Sequence, residues 1–399
     1  MNISEIEAAA TRIASGIEHT PCTTSLPLSE LTGSRIRCKL EYLQRTGSFK
    51  ERGALNALAP LDMAARARGV IAASAGNHAL GLAWHGRRLG IPVTVVMPET
   101  APLIKVATCR RFGARVIKQG ADFAQAKASA DALATDEGLT YIHGFDDPAI
   151  IAGQGTLGLE ILAQCPDVEA IVVPVGGSGL IAGIALAVKS QRPEVAVYGV
   201  EAAAAPAWAA ALAAGGPVSV TIQPTLADGL AVGRVGARAF ALGVPLIDRV
   251  VAVDEAALAL AIYRLMELEK SVVEGAGAAP LAALLAGALP ETRGRCTVLV
   301  LAGGNIDLTL LDRVIEKGLV HDGRLCRFTA RISDRPGGLA RLASVIAATG
   351  ASIHDIAHDR AFAGPDMATV RANCVVETTD PAHIEQLLAS LRKAGIAIE

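Results

Sequence analysis

The sequence has no excess of either charge: 37 basic residues stand against 39 acidic ones, for a formal net charge of −2. A chain so balanced carries no field that would favour nucleic acid or an anionic membrane, which leaves small-molecule chemistry as the expectation. It has no C-x-x-C pair either. Its seven cysteines, an odd number at scattered positions, fit a reduced, cytoplasmic protein better than a disulfide framework or a zinc site. Between Met1 and Thr20 acidic residues interrupt any apolar core, so no secretory leader is expected. Charge is missing altogether from Ala170 to Val188, a run that approaches the length of a membrane span. Pro174 and the glycines at 176, 177 and 179 divide it, and the run reads instead as a buried strand, a turn and a helix.

The informative residues lie elsewhere. Thr46-Gly47-Ser48-Phe49-Lys50 puts a lysine after a small turn and at the head of an expected helix from Phe49 to Leu61. Near the positive end of a helix dipole the ammonium form is disfavoured, as a Schiff-base lysine requires. Far downstream, Val175-Gly176-Gly177-Ser178-Gly179-Leu180 follows an apolar run and precedes an expected helix from Ile181. Strand, glycine-rich turn and helix in that order offer unpaired backbone N–H groups to an anion. A lysine and a phosphate cradle together point to pyridoxal phosphate.

Apolar, β-branched runs at Gly69–Ala72, Pro92–Met97, Arg115–Ile117, Ala170–Val173, Val195–Val200 and Val298–Leu301 alternate with alanine-rich helical stretches. This predicts an α/β fold of parallel sheets with helices on both faces. At 399 residues the chain should form more than one core. After Gly318 the pattern changes to strand (Leu325–Ile332), turn (Asp334–Gly338), helix (Leu339–Thr349), two strands (Ile353–Phe362 and Thr369–Glu377) and helix (Pro381–Ala394).

On these residues the chain resembles the fold-type II pyridoxal-phosphate enzymes, in particular the serine/threonine dehydratases or threonine ammonia-lyases. Ser48-Phe49-Lys50-Glu51-Arg52-Gly53-Ala54-Leu55-Asn56 and Ser74-Ala75-Gly76-Asn77-His78 match the family's patterns. Ala227-Asp228-Gly229, Glu274-Gly275-Ala276 and Gly303-Gly304-Asn305 follow in the family's order, so the likeness runs from Ile3 to Leu319.

The resemblance implies a catalytic domain over 1–319, of the tryptophan synthase beta-like type, with a small lobe of about 49–147 inserted in a larger one. It implies Lys50 as the catalytic, Schiff-base lysine and proton acceptor. Cofactor contacts would come from Phe49, Lys50, Asn77, the loop Gly176, Gly177, Ser178, Gly179 and Leu180, and Ala302. Ser74, Ala75, Gly76, Asn77 and His78 would receive the substrate carboxylate. The 325–399 segment resembles an ACT regulatory domain, with an amino-acid effector expected at Asp334, Arg335, Pro336, Gly337 and Leu339. Such enzymes pair, so a homo-oligomer, a dimer or a tetramer, is implied.

Three positions depart from the family's pattern. Ala302 stands where many dehydratases have a serine or cysteine for the pyridine nitrogen. Ala75 stands where racemases carry a serine as a second acid/base, and a methyl group has no proton to return. Of a carboxylate pair that binds a cation in some relatives only Glu201 is present, with Ala207 at the other position, so no metal is expected. His354 and His358, four apart, would share one face of either a helix or a strand, a spacing that suggests a metal, but nothing elsewhere supplies a partner. The reaction implied is α,β-elimination from L-threonine and L-serine to 2-oxobutanoate or pyruvate with ammonia. The alternatives are a serine racemase, a β-replacement synthase, a 3-hydroxyaspartate or phenylserine dehydratase, and a non-catalytic amino-acid sensor.

Overall fold

The structure, a computed structural model, describes residues 1–359 and 368–399. It comprises two compact units, Met1–Ile306 and Asp307–Glu399.

The first unit is built on two sheets. The larger has six strands in the order β1 (Cys22–Ser25), β2 (Arg35–Lys39), β10 (Cys296–Val300), β7 (Ala170–Pro174), β8 (Ala196–Ala202) and β9 (Arg249–Val253). The smaller has the order β5 (Arg115–Lys118), β4 (Val93–Met97), β3 (Val70–Ala73) and β6 (Thr140–Tyr141). Every neighbouring pair is parallel except β1 with β2, which is antiparallel. All residues of β7, β8 and β10 are buried. Strands covered on both faces read as continuous apolar runs, which is why these were visible in the sequence. β1, β2, β6 and β9 were not read there: they are short or carry arginine, lysine and threonine.

The small sheet is drawn wholly from the chain between β2 and β7, so the polypeptide leaves the large sheet and later returns to it. On return it forms the helix Pro148–Gln164, which packs backbone to backbone on the helix Gly179–Gln191. A Cβ on Gly183 would strike the Ile151 carbonyl and the Gly155 amide, so only glycine permits this approach. The uncharged run from Ala170 is therefore a strand, a turn and a helix. Among the described residues no helix is long and apolar enough to cross a membrane.

The second unit starts with the helix Leu308–His321, capped by Asp307, where the sequence had suggested a boundary after Leu319. Its antiparallel sheet has the order β12 (Ser352–Asp359), β13 (Thr369–Glu377), β11 (Leu325–Ser333) and β14 (Ala397–Ile398). The helices Gly338–Ala348 and Pro381–Lys393 cover one face through Leu342, Ile346, Leu387 and Leu391. β12 was expected to reach Phe362, and the positions from 360 to 367 lie outside the described residues. A bulge between Ile353 and Asp355 breaks the alternation on which a shared face for His354 and His358 depended. His354 lies beside Glu377 instead, at 3.6 Å.

Candidate active site

Lys50 opens the helix Lys50–Leu58, whose preceding residue Phe49 is already in the helical region. The turn before it is stitched to the end of β10. Phe49 N donates to the Ala302 carbonyl at 3.0 Å, Gly304 N to the Gly47 carbonyl at 2.9 Å, and Asn305 Nδ2 to the Thr46 carbonyl at 2.7 Å. Ser48 bridges Gly303. These bonds join two motifs that lie far apart in sequence, and they explain the use made of Ala302: its carbonyl anchors Phe49 while its methyl is buried in the core of the large lobe.

The Lys50 Nζ donates to the Gly144 carbonyl at 2.7 Å. Burial pushes its ammonium down to about 8, against the upward pull of the Glu274 carboxylate. Its charge also lies 5.1 Å from the centre of the Phe49 ring, which packs partly into the core. The residue after Gly144 links the lysine to the glycine loop: a Cβ on Gly177 would fall on the Phe145 ring, and one on Gly179 on the Phe145 carbonyl. Phe145 had no signal in the sequence, because nothing local marks an aromatic that packs on a distant turn.

The glycine loop is a cradle with unused donors. Among the described residues, the backbone N–H groups of Gly176, Gly177, Ser178, Gly179 and Leu180 find no acceptor. Ser178 is held at φ +76°, a conformation that costs a non-glycine residue about 1–3 kcal/mol, and its buried Oγ is also unpartnered. Gly176 is hemmed in by the Gly229 carbonyl, so the Ala227-Asp228-Gly229 motif forms one wall. Unpaired N–H groups at the start of the helix Gly179–Gln191 suit a phosphate, and with Lys50 nearby these residues fit pyridoxal phosphate.

A second set of free donors lies at the end of β3. Gly76 caps the helix Asn77–Leu89, and the N–H groups of Ala75, Asn77, His78 and Ala79 find no acceptor among the described residues. Ser74 Oγ accepts from Gly76 N at 3.2 Å and shapes the turn. Asn77 Nδ2 donates to Glu274 Oε1 at 2.7 Å, and Asn77 Oδ1 accepts from Asn305 Nδ2 at 2.8 Å. Burial pushes Glu274 up to about 7, with the charge of Asp228 adding to the rise. Glu274 thus joins three motifs, a role its place in Glu274-Gly275-Ala276 did not reveal. The imidazole of His78 lies buried, its Nε2 3.1 Å from the Ile142 carbonyl, and burial with the nearby Lys50 charge pushes it down to about 3. The neutral ring therefore braces the turn, and the backbone N–H of His78 is what the cleft can use.

Both oxygens of Glu201 are occupied by the N–H groups of Trp208 and Ala209, at 2.9 and 3.2 Å, so it caps a helix. In the second unit, Asp334 N donates to the Ala368 carbonyl at 3.1 Å, Gly338 N to the Arg335 carbonyl at 3.1 Å, and Gly337 takes φ +97°. Asp334, Arg335, Pro336 and Gly337 therefore form the tight connection from β11 to its helix, and Leu339 lies in the first turn of that helix.

Comparison with known proteins agrees with this geometry. Residues 13–304 match the family described as pyridoxal-phosphate dependent enzyme. An L-threonine ammonia-lyase of Thermotoga maritima is 43% identical over 398 residues, covering 100% of this chain and 99% of that protein. A solved threonine deaminase from tomato, Solanum lycopersicum, is 36% identical with a TM-score of 0.75, covering 80% of this chain and 87% of its own. Maize serine racemase is 33% identical with a TM-score of 0.75, covering 80% and 98%.

Proposed function

The chain belongs to the pyridoxal-phosphate dependent enzymes, and within that family we propose that it is an L-threonine ammonia-lyase. It converts L-threonine to 2-oxobutanoate and ammonia, and L-serine to pyruvate and ammonia, by α,β-elimination. The observation that carries this reading is the end-to-end kinship with an L-threonine ammonia-lyase, including the second unit.

When bound, pyridoxal phosphate supplies the electron sink for the pair left on the substrate Cα. The chain's own residues do the rest. The N–H groups of 176–180 hold the phosphate, and those of Ala75, Asn77, His78 and Ala79 receive the substrate carboxylate. Lys50, its amine made available by burial, takes the Cα proton. Glu274 and Asn305 fix the Asn77 amide so that it meets the cofactor in one orientation. Ala75 offers no hydroxyl to return a proton from the opposite face, which favours elimination over the racemisation named for the maize neighbour.

Between its opening helix and β14 the second unit has the β-α-β-β-α order of an ACT regulatory domain, and its tight turn at Asp334–Gly338 is the proposed amino-acid effector site. The working form is a cytoplasmic homo-oligomer. The test is 2-keto acid release by cofactor-loaded protein given L-threonine, L-serine, D-serine, threo-3-hydroxyaspartate and phenylserine separately. Release of 2-oxobutanoate from L-threonine, faster than any product from the others, is expected. Interconversion of serine enantiomers without keto acid, or preference for one of the last two substrates, overturns the reading.

A further inference from the structure

At the starting ends of the two central strands of the large sheet, β7 and β10, away from the catalytic cleft, three side chains from two segments converge. Cys165 ends the helix Pro148–Gln164, Asp167 lies in the turn that follows, and Cys296 opens β10. Thr297, next along β10, pairs with Ala170 at the start of β7, whereas the glycine loop follows the other end of β7. Five strand residues, at about 3.3 Å each, therefore separate this cluster from the cofactor cradle.

The donor atoms of the three lie within 4.8 Å of one another. Cys165 Sγ is 3.6 Å from Cys296 Sγ and 3.5 Å from Asp167 Oδ1. Tetrahedral zinc, with bonds of about 2.3 Å to thiolate and about 2.1 Å to carboxylate, sets its ligands about 3.8 Å apart for sulfur to sulfur and about 3.6 Å for sulfur to oxygen. The observed spacings are close to both. Both thiols are free, and at 3.6 Å no disulfide joins them.

The surroundings fit as well. Both sulfurs are buried, while the Asp167 side chain is 49% exposed, leaving a solvent-facing position for a fourth ligand. Arg35 and Arg37 each lie 3.5 Å from Asp167, and Arg35 also pairs with Glu169 at 2.8 Å. With both thiols protonated, these two arginines and two carboxylates cancel. A divalent cation that displaces the two thiol protons preserves that balance. The frame is preformed: Glu169 N donates to the Cys296 carbonyl at 2.9 Å, Cys296 N to Glu169 Oε2 at 2.8 Å, and Arg192 Nη1 to the Pro166 carbonyl at 2.8 Å.

We propose that Cys165, Asp167 and Cys296 form a binding site for a soft divalent cation of the zinc and cadmium class. The cation binds as two thiols release their protons, and water completes the tetrahedron. It clips the turn before β7 to the start of β10 and serves structure, since the cleft lies at the other end of the strands.

The test uses the full-length holoenzyme, dialysed against a chelator and titrated with Zn²⁺ and with Cd²⁺ against a competing chromophoric chelator. One tight equivalent is expected, with a sulfur-to-cadmium charge-transfer band in the ultraviolet and a rise in melting temperature. Cys165→Ser and Cys296→Ser should each weaken binding by about 100-fold or more, and the exposed Asp167→Asn by about 10-fold. Cys22→Ser should change nothing, and keto acid release by every variant reports that it is folded. Binding that survives both serine variants, no binding below millimolar cation, or paired loss of the two thiols to an added disulfide reagent without cation binding would each overturn the site.

Discussion

Around Lys39 every donor is spent. Its Nζ donates to the Thr20 carbonyl at 2.5 Å, to Glu160 at 2.7 Å and to Gln164 at 3.0 Å. Glu160 also accepts twice from Arg52, at 2.6 and 2.9 Å, and Arg52 grips Glu41 through two bonds of 2.7 Å. Burial alone would raise the Glu160 carboxyl, but the hydrogen bonds and charge of Arg52, with Lys39, carry it below its ordinary range. Around Lys50 the opposite holds: one carbonyl accepts from its Nζ, no carboxylate among the described residues pairs with it, and its ammonium is pushed down to about 8. The two regions share a helix, since Arg52 follows Lys50 by two positions. A buried lysine given carboxylates becomes structure. One given only a carbonyl keeps the free amine that the proposed reaction needs, and the ionic region holds in place the helix that presents it.

The comparison breaks first at its chemical half. Lys50→Ala should reduce 2-oxobutanoate release from L-threonine by about 10⁴-fold, the upper end for a positioned acid–base group, while circular dichroism stays native. Retention of more than a tenth of the activity would end the assignment. At the structural half, Arg52→Ala leaves Glu41 and Glu160 buried with too few partners, and urea denaturation should show a loss of about 3–5 kcal/mol. A loss under about 1 kcal/mol would mean that Arg52 does not organise the region.

Gly177→Ala sharpens the link between the lysine and the cradle. Its new methyl meets the Phe145 ring, and overpacking of about 1–3 kcal/mol corresponds to pyridoxal phosphate binding weakened by about 5- to 150-fold, measured by equilibrium dialysis. Unchanged affinity would show that Phe145 yields freely. The depressed Lys50 value has its own signature. Only the unprotonated amine attacks an aldehyde, so cofactor uptake by stripped protein, followed by its visible band, should quicken with pH and level off above about 8. A plateau reached only above about 10 would place Lys50 among ordinary lysines. The smallest effect belongs to Lys105→Ala, which removes a 2.7 Å pair with the exposed Asp228 and should cost about 0.2–1 kcal/mol in the same urea assay.

Much of the catalytic unit was legible because its strands are buried on both faces and so advertise themselves as unbroken apolar runs. The glycine loop and the turn before Lys50 were legible for a related reason: glycines between an expected strand and helix announce exposed N–H groups whatever the rest of the chain does. Phe145 and the bonds of Glu274 were not, because each acts on a residue from another segment. β1 and β2, with exposed or charged positions, carried no run to read. His354 misled for a geometric reason, since a bulge changes which face a strand residue takes and leaves no mark in spacing.

The cysteines mark the limit most clearly. Spacing along the chain offered no pair, and it could not: Cys165 lies after a helix and Cys296 at the head of a strand, and they meet because β7 and β10 are neighbours in the sheet. By itself the sequence determined which local segments expose donors, which strands must be buried, and that one lysine heads a helix after a glycine turn, all of which depend on neighbours a few residues away. The tertiary structure decided which buried lysine keeps ionic partners and which does not, which aromatic covers the cradle, and which two thiols stand side by side. Those outcomes depend on desolvation and on distance between segments, and neither is a property of order along the chain.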